Sequence, residues 1–224
     1  MCLQPPLRWP PEAVPVLELR RHSSKPRAMS PLEPSLPSAF WQACRRLRLL
    51  PTPWVLVVSV PLQRLLWYRR LSTVSVPKLN THPSRSYSVA GQCPVSTSKF
   101  GTGQLMDSCQ TPLGLHRVGV KIGAGWPIGT VFRARKPVGF TWQGFSDGSV
   151  THRILWLEGL EEGCNRGGRK DTFSRYIYIH GFPDESTIGR PASHGCVHLR
   201  AKDLLPLFDG IPINTLVWIT NSIR

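Results

Sequence analysis

The chain has 224 residues, with 28 lysines and arginines against 13 aspartates and glutamates, a formal net charge of +15. That length allows one sizeable domain and an appendage, and the basic balance favours polyanionic partners through long-range, salt-sensitive attraction. The basic residues are dispersed, without a motif of interleaved aromatics, which argues against nucleic acid, and Trp54 to Val60 is too short an apolar run for stable membrane insertion.

Residues 1 to 50 hold nine prolines and a net charge of +5 with few long apolar runs, so they are read as a disordered leader. Met1 to Ser30 shows prolines and charges where an export signal would carry an apolar stretch, and Cys44 lacks the preceding apolar segment of a lipoprotein signal. From Trp54 the pattern changes to WVLVVSV and RLLWYRR. It continues with Ser86 to Ala90, Leu115 to Ile122, Val131 to Arg135, Arg153 to Leu157, Tyr176 to His180 and Leu216 to Thr220, short strands between glycine and proline breaks. Only Ala201 to Phe208 reads as a helix, limited by Pro206. The expectation is a mainly β domain over residues 51–224, with packed mixed β-sheets, one or two short helices, and the site at one rim. No internal repeat is evident.

Function concentrates in Tyr176 to Arg200, YIYIHGFPDESTIGRPASHGCVHLR, where one cysteine stands among three histidines. A free thiol is mostly protonated at neutral pH, so a nucleophilic Cys196 needs a base or a cationic neighbour. His180 closes an alternating Tyr/Ile strand broken by Gly181 and Pro183, a stiff position open to a loop. Gly195 permits a tight turn that exposes the sulfur, and the adjacent amides could form an oxyanion hole. Read singly, a cysteine is an inert buried residue and a histidine a structural group. A zinc reading with His194, Cys196 and His198 on one extended face is the sharper alternative. Gly195, Pro191 and the missing fourth ligand count against it, and no cofactor motif is present.

His180-Gly181, followed thirteen residues on by Ser193-His194-Gly195-Cys196-Val197, resembles the signature of the L,D-transpeptidases, the YkuD or ErfK/YbiS/YcfS/YnhG domain. The segments Thr111 to Phe132 and Arg153 to Gly168 are similar to stretches that precede it in that family, and the resemblance spans about Trp54 to Ile219. It implies a YkuD-like β-sandwich. It also implies Cys196 as nucleophile, His180 as general base, the Gly181 carbonyl as the group orienting the imidazole, and Ser193, His194 and Gly195 in supporting or oxyanion roles. Arg190 would meet a substrate carboxylate through its planar fork. Two positions depart from the family pattern: Phe182 in place of Thr or Ser, and His198 in place of Arg or Asn. His198 is mostly neutral at pH 7; either Arg200 compensates in substrate binding, or the enzyme is slow, altered in acceptor choice, or a wall-binding homologue without catalysis.

The implied reaction is acyl transfer on peptidoglycan. Cys196 attacks the third residue of a donor stem tetrapeptide, D-alanine leaves, and an acceptor amine, or water in a carboxypeptidase, resolves the thioester. Such activity implies cell-wall biogenesis, susceptibility to carbapenems, and a place in the cell envelope or periplasm by substrate logic alone. If Cys93, Cys109 and Cys164 include a bonded pair, one of them is left free.

Overall fold

A computed structural model describes residues 35–71, 86–144 and 150–222. Its strands are β1 (Trp54–Ser59), β2 (Arg64–Arg70), β3 (Tyr87–Pro94), β4 (Gly114–Ile122), β5 (Thr130–Arg133), β6 (Lys136–Phe140), β7 (Thr151–Gly159), β8 (Tyr178–Gly181), β9 (Val197–Leu199) and β10 (Leu216–Thr220); the helices are α1 (Ser38–Arg46) and α2 (Ala201–Gly210). Hydrogen bonds join all ten strands into one mixed sheet, ordered β3-β2-β1-β10-β4-β7-β5-β6, from which β8 branches off β7 and carries β9. The pairs β1/β10 and β8/β9 are parallel and the rest antiparallel. The mainly β class with two short helices agrees with the sequence reading.

Strand β1 shows why the sheet needs cover on both sides. Successive side chains of a strand point to opposite faces, and in the apolar run of β1 Leu56 and Val58 join the core shared with α2 while Val55 and Val57 join a second core against α1. This corrects the leader boundary. Residues 38–46, assigned to a disordered leader, form a helix whose Phe40, Trp41, Ala43 and Cys44 are buried on the sheet. Burying each large apolar side chain contributes about 1.5–3 kcal/mol, enough to order a short segment beside a preformed sheet. Residues 1–34 of the leader lie outside the described residues.

Two further elements differ from expectation. The strand expected from Val131 to Arg135 ends at Arg133, and Ala134 and Arg135, both in the left-handed region (φ 45° and 68°), turn the chain into the unassigned strand β6, KPVGF, which pairs with β5. Helix α2 runs on to Gly210 with Pro206 inside it. The ring removes a backbone donor there, while buried Leu204, Leu207 and Phe208 hold the turns on either side against the core. Cys44, Cys93, Cys109, Cys164 and Cys196 are all free thiols.

Candidate active site

Strands β8 and β9 run parallel with Ile179 opposite Val197, His180 opposite His198 and Gly181 opposite Leu199. Ile179, Val197 and Leu199 are fully buried in the main core. By the two-residue alternation of a strand, Tyr178, His180 and His198 then share the opposite face, and Cys196, just before β9, continues it. Cys196 accordingly packs against the small cluster of Phe132, Ile154 and Tyr178, as Trp156 does. A side-chain pattern of period two therefore brings together residues sixteen positions apart in sequence.

The turn carrying Cys196 is held from three sides. Ala192 and Ser193 donate their N–H groups to the Thr97 carbonyl, Ser193 Oγ donates to the Cys196 carbonyl at 2.6 Å, and Thr111 Oγ1 donates to the Gly195 carbonyl at 3.0 Å. Gly195 adopts φ +119°, and a β-carbon there would lie 3.2 Å from Ile177 Cδ1, so the position needs glycine for both conformation and space. The half-buried Cys196 Sγ accepts from the Tyr178 N–H at 3.3 Å and donates to the Tyr176 carbonyl at 3.5 Å. Among the described residues no hydrogen bond joins a histidine to the sulfur.

His180 is buried, and its Nδ1 lies 2.7 Å from the Gly181 carbonyl oxygen. A carbonyl only accepts, so Nδ1 carries the proton and Nε2 keeps its lone pair. Gly181 fits against His152: a β-carbon would stand 2.3 Å from His152 Cδ2 and 2.7 Å from the Thr151 carbonyl oxygen. Burial pushes the Cys196 thiol up to about 11, opposed by the Tyr178 N–H bond and the Arg175 guanidinium. Burial also pulls His180 down to about 4, against the bond to Gly181 and helped by nearby His152. Both shifts favour neutral forms, so the resting pair is thiol and imidazole, not thiolate and imidazolium.

The remaining expected residues separate. His198 is 6% exposed, stacked on Phe182 (4.5 Å, 11°) and edge-on to His180 (4.6 Å, 60°). Burial, then the neighbouring His180 and His194, lower its pKa to about 2. The two departures, Phe182 and His198, thus form one stack behind His180. His194 is exposed and tilted against Phe100 at 5.5 Å, and among the described residues no group of three or more His, Cys, Asp or Glu is placed to hold a metal ion. Arg190 is exposed, with its charge acting on Asp184. Arg200 precedes α2, and its charge acts on Cys93.

Sequence reasoning missed Arg175, His152 and Thr111. Arg175, half-buried, donates to the carbonyls of Gly103 (3.1 Å) and Gln110 (2.7 Å) while its charge faces Cys196. It stands immediately before the Tyr/Ile run, so its place in sequence was a signal, whereas nothing local marks Thr111 or His152.

The model of the YkuD L,D-transpeptidase catalytic domain matches residues 53–219, the span the sequence reading identified to within a residue. Among solved structures the chain is similar to Bd1075 of Bdellovibrio bacteriovorus (16% identity, TM-score 0.47, 86% of this chain and 52% of that one). It is also similar to an L,D-transpeptidase from Mycobacterium smegmatis (13%, 0.42, 75% and 58%) and to L,D-transpeptidase 3 from Mycobacterium tuberculosis (14%, 0.42, 75% and 61%). The chain spans about half to three fifths of the length of these structures. No curated protein matches it. With well over half of its length matched by that family model, the chain belongs to the YkuD family of L,D-transpeptidase catalytic domains.

Proposed function

We propose that this protein is a cysteine-dependent peptidoglycan L,D-transpeptidase. The observation that carries the reading is the common face of β8 and β9, with the Cys196 sulfur beside Tyr178, and His180 held by its own Gly181 carbonyl with Nε2 unprotonated. Family membership supports the reaction type.

In this mechanism the donor tetrapeptide places the carbonyl of its third residue, a diamino acid, against Sγ. Because thiol and imidazole rest neutral, the thiol proton would pass to His180 Nε2 through one bridging water, or directly once substrate binding tightens the site, as the carbon–sulfur bond forms. The Cys196 N–H would meet the oxyanion, while the Gly195 N–H already donates to Ser193 Oγ at 3.3 Å and helps hold the turn in place for that task. Collapse expels D-alanine, whose amine takes the proton from His180. An acceptor amine then attacks the thioester, loses its proton to His180, and leaves a cross-link with free Cys196. Ser193 and Thr111 hold the turn, and His198 and Phe182 wall in His180. His194 and Arg190 are exposed, and Arg200 stands just before α2. No cofactor is required. The cell envelope is the corresponding location; among the described residues no helix is long and apolar enough to cross a membrane.

The second reading, a wall-binding homologue without catalysis, is favoured by the missing direct thiol–imidazole hydrogen bond. Incubation with a carbapenem separates the two: a covalent adduct mapping to Cys196 and absent from Cys196→Ala supports the enzyme, and no adduct on the wild type rejects it. Cross-link formation from tetrapeptide donors, against hydrolysis to tripeptide, then distinguishes transpeptidase from L,D-carboxypeptidase.

A further inference from the structure

Beside the nucleophile lies an aromatic platform that the proposed chemistry leaves unused. Trp156 of β7 stacks face to face with Phe173 (3.9 Å, 2°) and meets Tyr178 edge-on (5.5 Å, 87°) and Tyr176 at 5.7 Å. The Arg135 guanidinium lies over this platform, its carbon 4.9 Å from the ring centres of both Trp156 and Tyr176, with Nη1 3.4 Å from Tyr178 Oη. Two of these aromatic residues also bind the sulfur through their backbones: the Tyr176 carbonyl accepts from Cys196 and the Tyr178 N–H donates to it. The cation and the nucleophile therefore share the same two residues.

Three residues of this arrangement have left-handed backbone. Ala134 and Arg135 form the β5–β6 turn at φ 45° and 68°, and exposed Tyr176 sits at φ 55°. Non-glycine residues in the left-handed region each cost of order 1 kcal/mol, and such strain gathers at ligand sites. Among the described residues no carboxylate pairs with Arg135, although a guanidinium offers five donors in a planar fork that matches a carboxylate. Ring faces orient the fork, and although Nη1 donates to Tyr178 Oη, a guanidinium carries further N–H donors for a carboxylate.

We propose that Arg135 is a specificity-determining residue that binds a carboxylate of the donor, at the far end of its diamino-acid side chain. This rests on the transpeptidase reading. The direction along β8 selects that carboxylate over the one on the departing D-alanine. The leaving amine must take its proton from His180, so the D-alanine lies toward His180, whereas Arg135 contacts Tyr176 and Tyr178 before it. The acyl half of the donor faces Arg135. An amidated side-chain carboxylate, or lysine, a diamino acid that lacks that carboxylate, leaves the guanidinium without its counter-charge.

The test uses three tetrapeptide donors with full-length protein: the free diamino acid, its side-chain amide, and the free diamino acid with a C-terminal D-alanine amide. Wild type is expected to prefer the free acid over the side-chain amide by about 10- to 100-fold in kcat/KM, the range for a lost charge-assisted bidentate contact at about 1.4 kcal/mol per tenfold. Arg135→Gln should collapse this ratio toward one while keeping any preference for the free C-terminus. Lys136→Gln, which removes a charge from the same hairpin without touching the platform, should leave the ratio alone. Equal losses on free acid and side-chain amide in Arg135→Gln, or a wild type indifferent to side-chain amidation, would overturn the proposal. Collapse of the C-terminal preference instead would move Arg135 to the leaving-group side and overturn it too. Calorimetric binding of the same donors to Cys196→Ser reads the discrimination without turnover. A wild type that turns over no donor defeats the transpeptidase reading, while the binding ratio still decides Arg135.

Discussion

Substituting Gly181 by alanine tests the geometry around the imidazole most directly. The new methyl would stand 2.3 Å from His152 Cδ2 and 2.7 Å from the Thr151 carbonyl oxygen, against ordinary contact near 3.4 Å. Neither neighbour yields readily. His152 is buried with its Nδ1 accepting the Gly129 N–H at 2.8 Å, and Thr151 pairs with Gly181 across the sheet. The end of β8 must therefore move from β7 by about 1 Å, and overpacking of this kind costs about 1–3 kcal/mol. In a folded unit of this size that lowers the melting temperature by roughly 2–12 °C. The same shift carries the Gly181 carbonyl away from His180 Nδ1, now 2.7 Å distant, and a 1 Å error in a catalytic group slows reaction by about 100-fold. Thermal melting and the rate of carbapenem acylation read the two effects separately. Gly210→Ala is the control, since a β-carbon there meets nothing within 4 Å and the residue ends a helix. A Gly181→Ala protein that melts and acylates like wild type would refute this account of the site.

Further outcomes follow from burial. His116 and His180 titrate near 4 in the fold against 6.5 when free, both because burial disfavours the charged ring. The unfolded chain therefore binds more protons, so stability is complete above pH 6.5 and declines toward pH 4, by up to about 3 kcal/mol for each ring; urea midpoints that stay level between pH 7.5 and 4.5 would contradict it. Cys196 titrates near 11, so its alkylation by iodoacetamide, mapped by mass spectrometry to separate it from the other cysteines, should be slow at pH 7 and climb above pH 9. A plateau reached below pH 8 would mean a resting thiolate. Phe40→Ala should cost about 3–5 kcal/mol if α1 covers the sheet, and an unchanged denaturation midpoint would return that segment to the leader.

Much of the fold was legible because the strands announce themselves by unbroken apolar runs such as Trp54 to Val60 and by alternation such as Leu115 to Ile122. Strand β6 was not, since Pro137 and Gly139 carry turn propensity and only the two-residue connection through Ala134 and Arg135 forces pairing. Helix α1 was hidden by the proline-rich composition around it, although Phe40, Trp41 and Cys44 already had helical spacing. Averaging over fifty residues concealed the apolar stripe of a nine-residue helix.

Chemistry-bearing residues divide along the same line. Residue identity and local spacing alone singled out Cys196, His180 and Gly195, because a thiol after a glycine and an imidazole at a strand end declare their use through near neighbours in the chain. The direction of the charge shifts at that pair, the partnering of Phe182 with His198, and the placing of Arg175 near Cys196, Thr111 on the Gly195 carbonyl and Arg135 over Tyr176 and Tyr178 came only from packing. Desolvation and contact depend on what lies nearby in space, and the parallel pairing of β8 with β9, together with the β5–β6 turn over Trp156, brings in groups from distant parts of the chain.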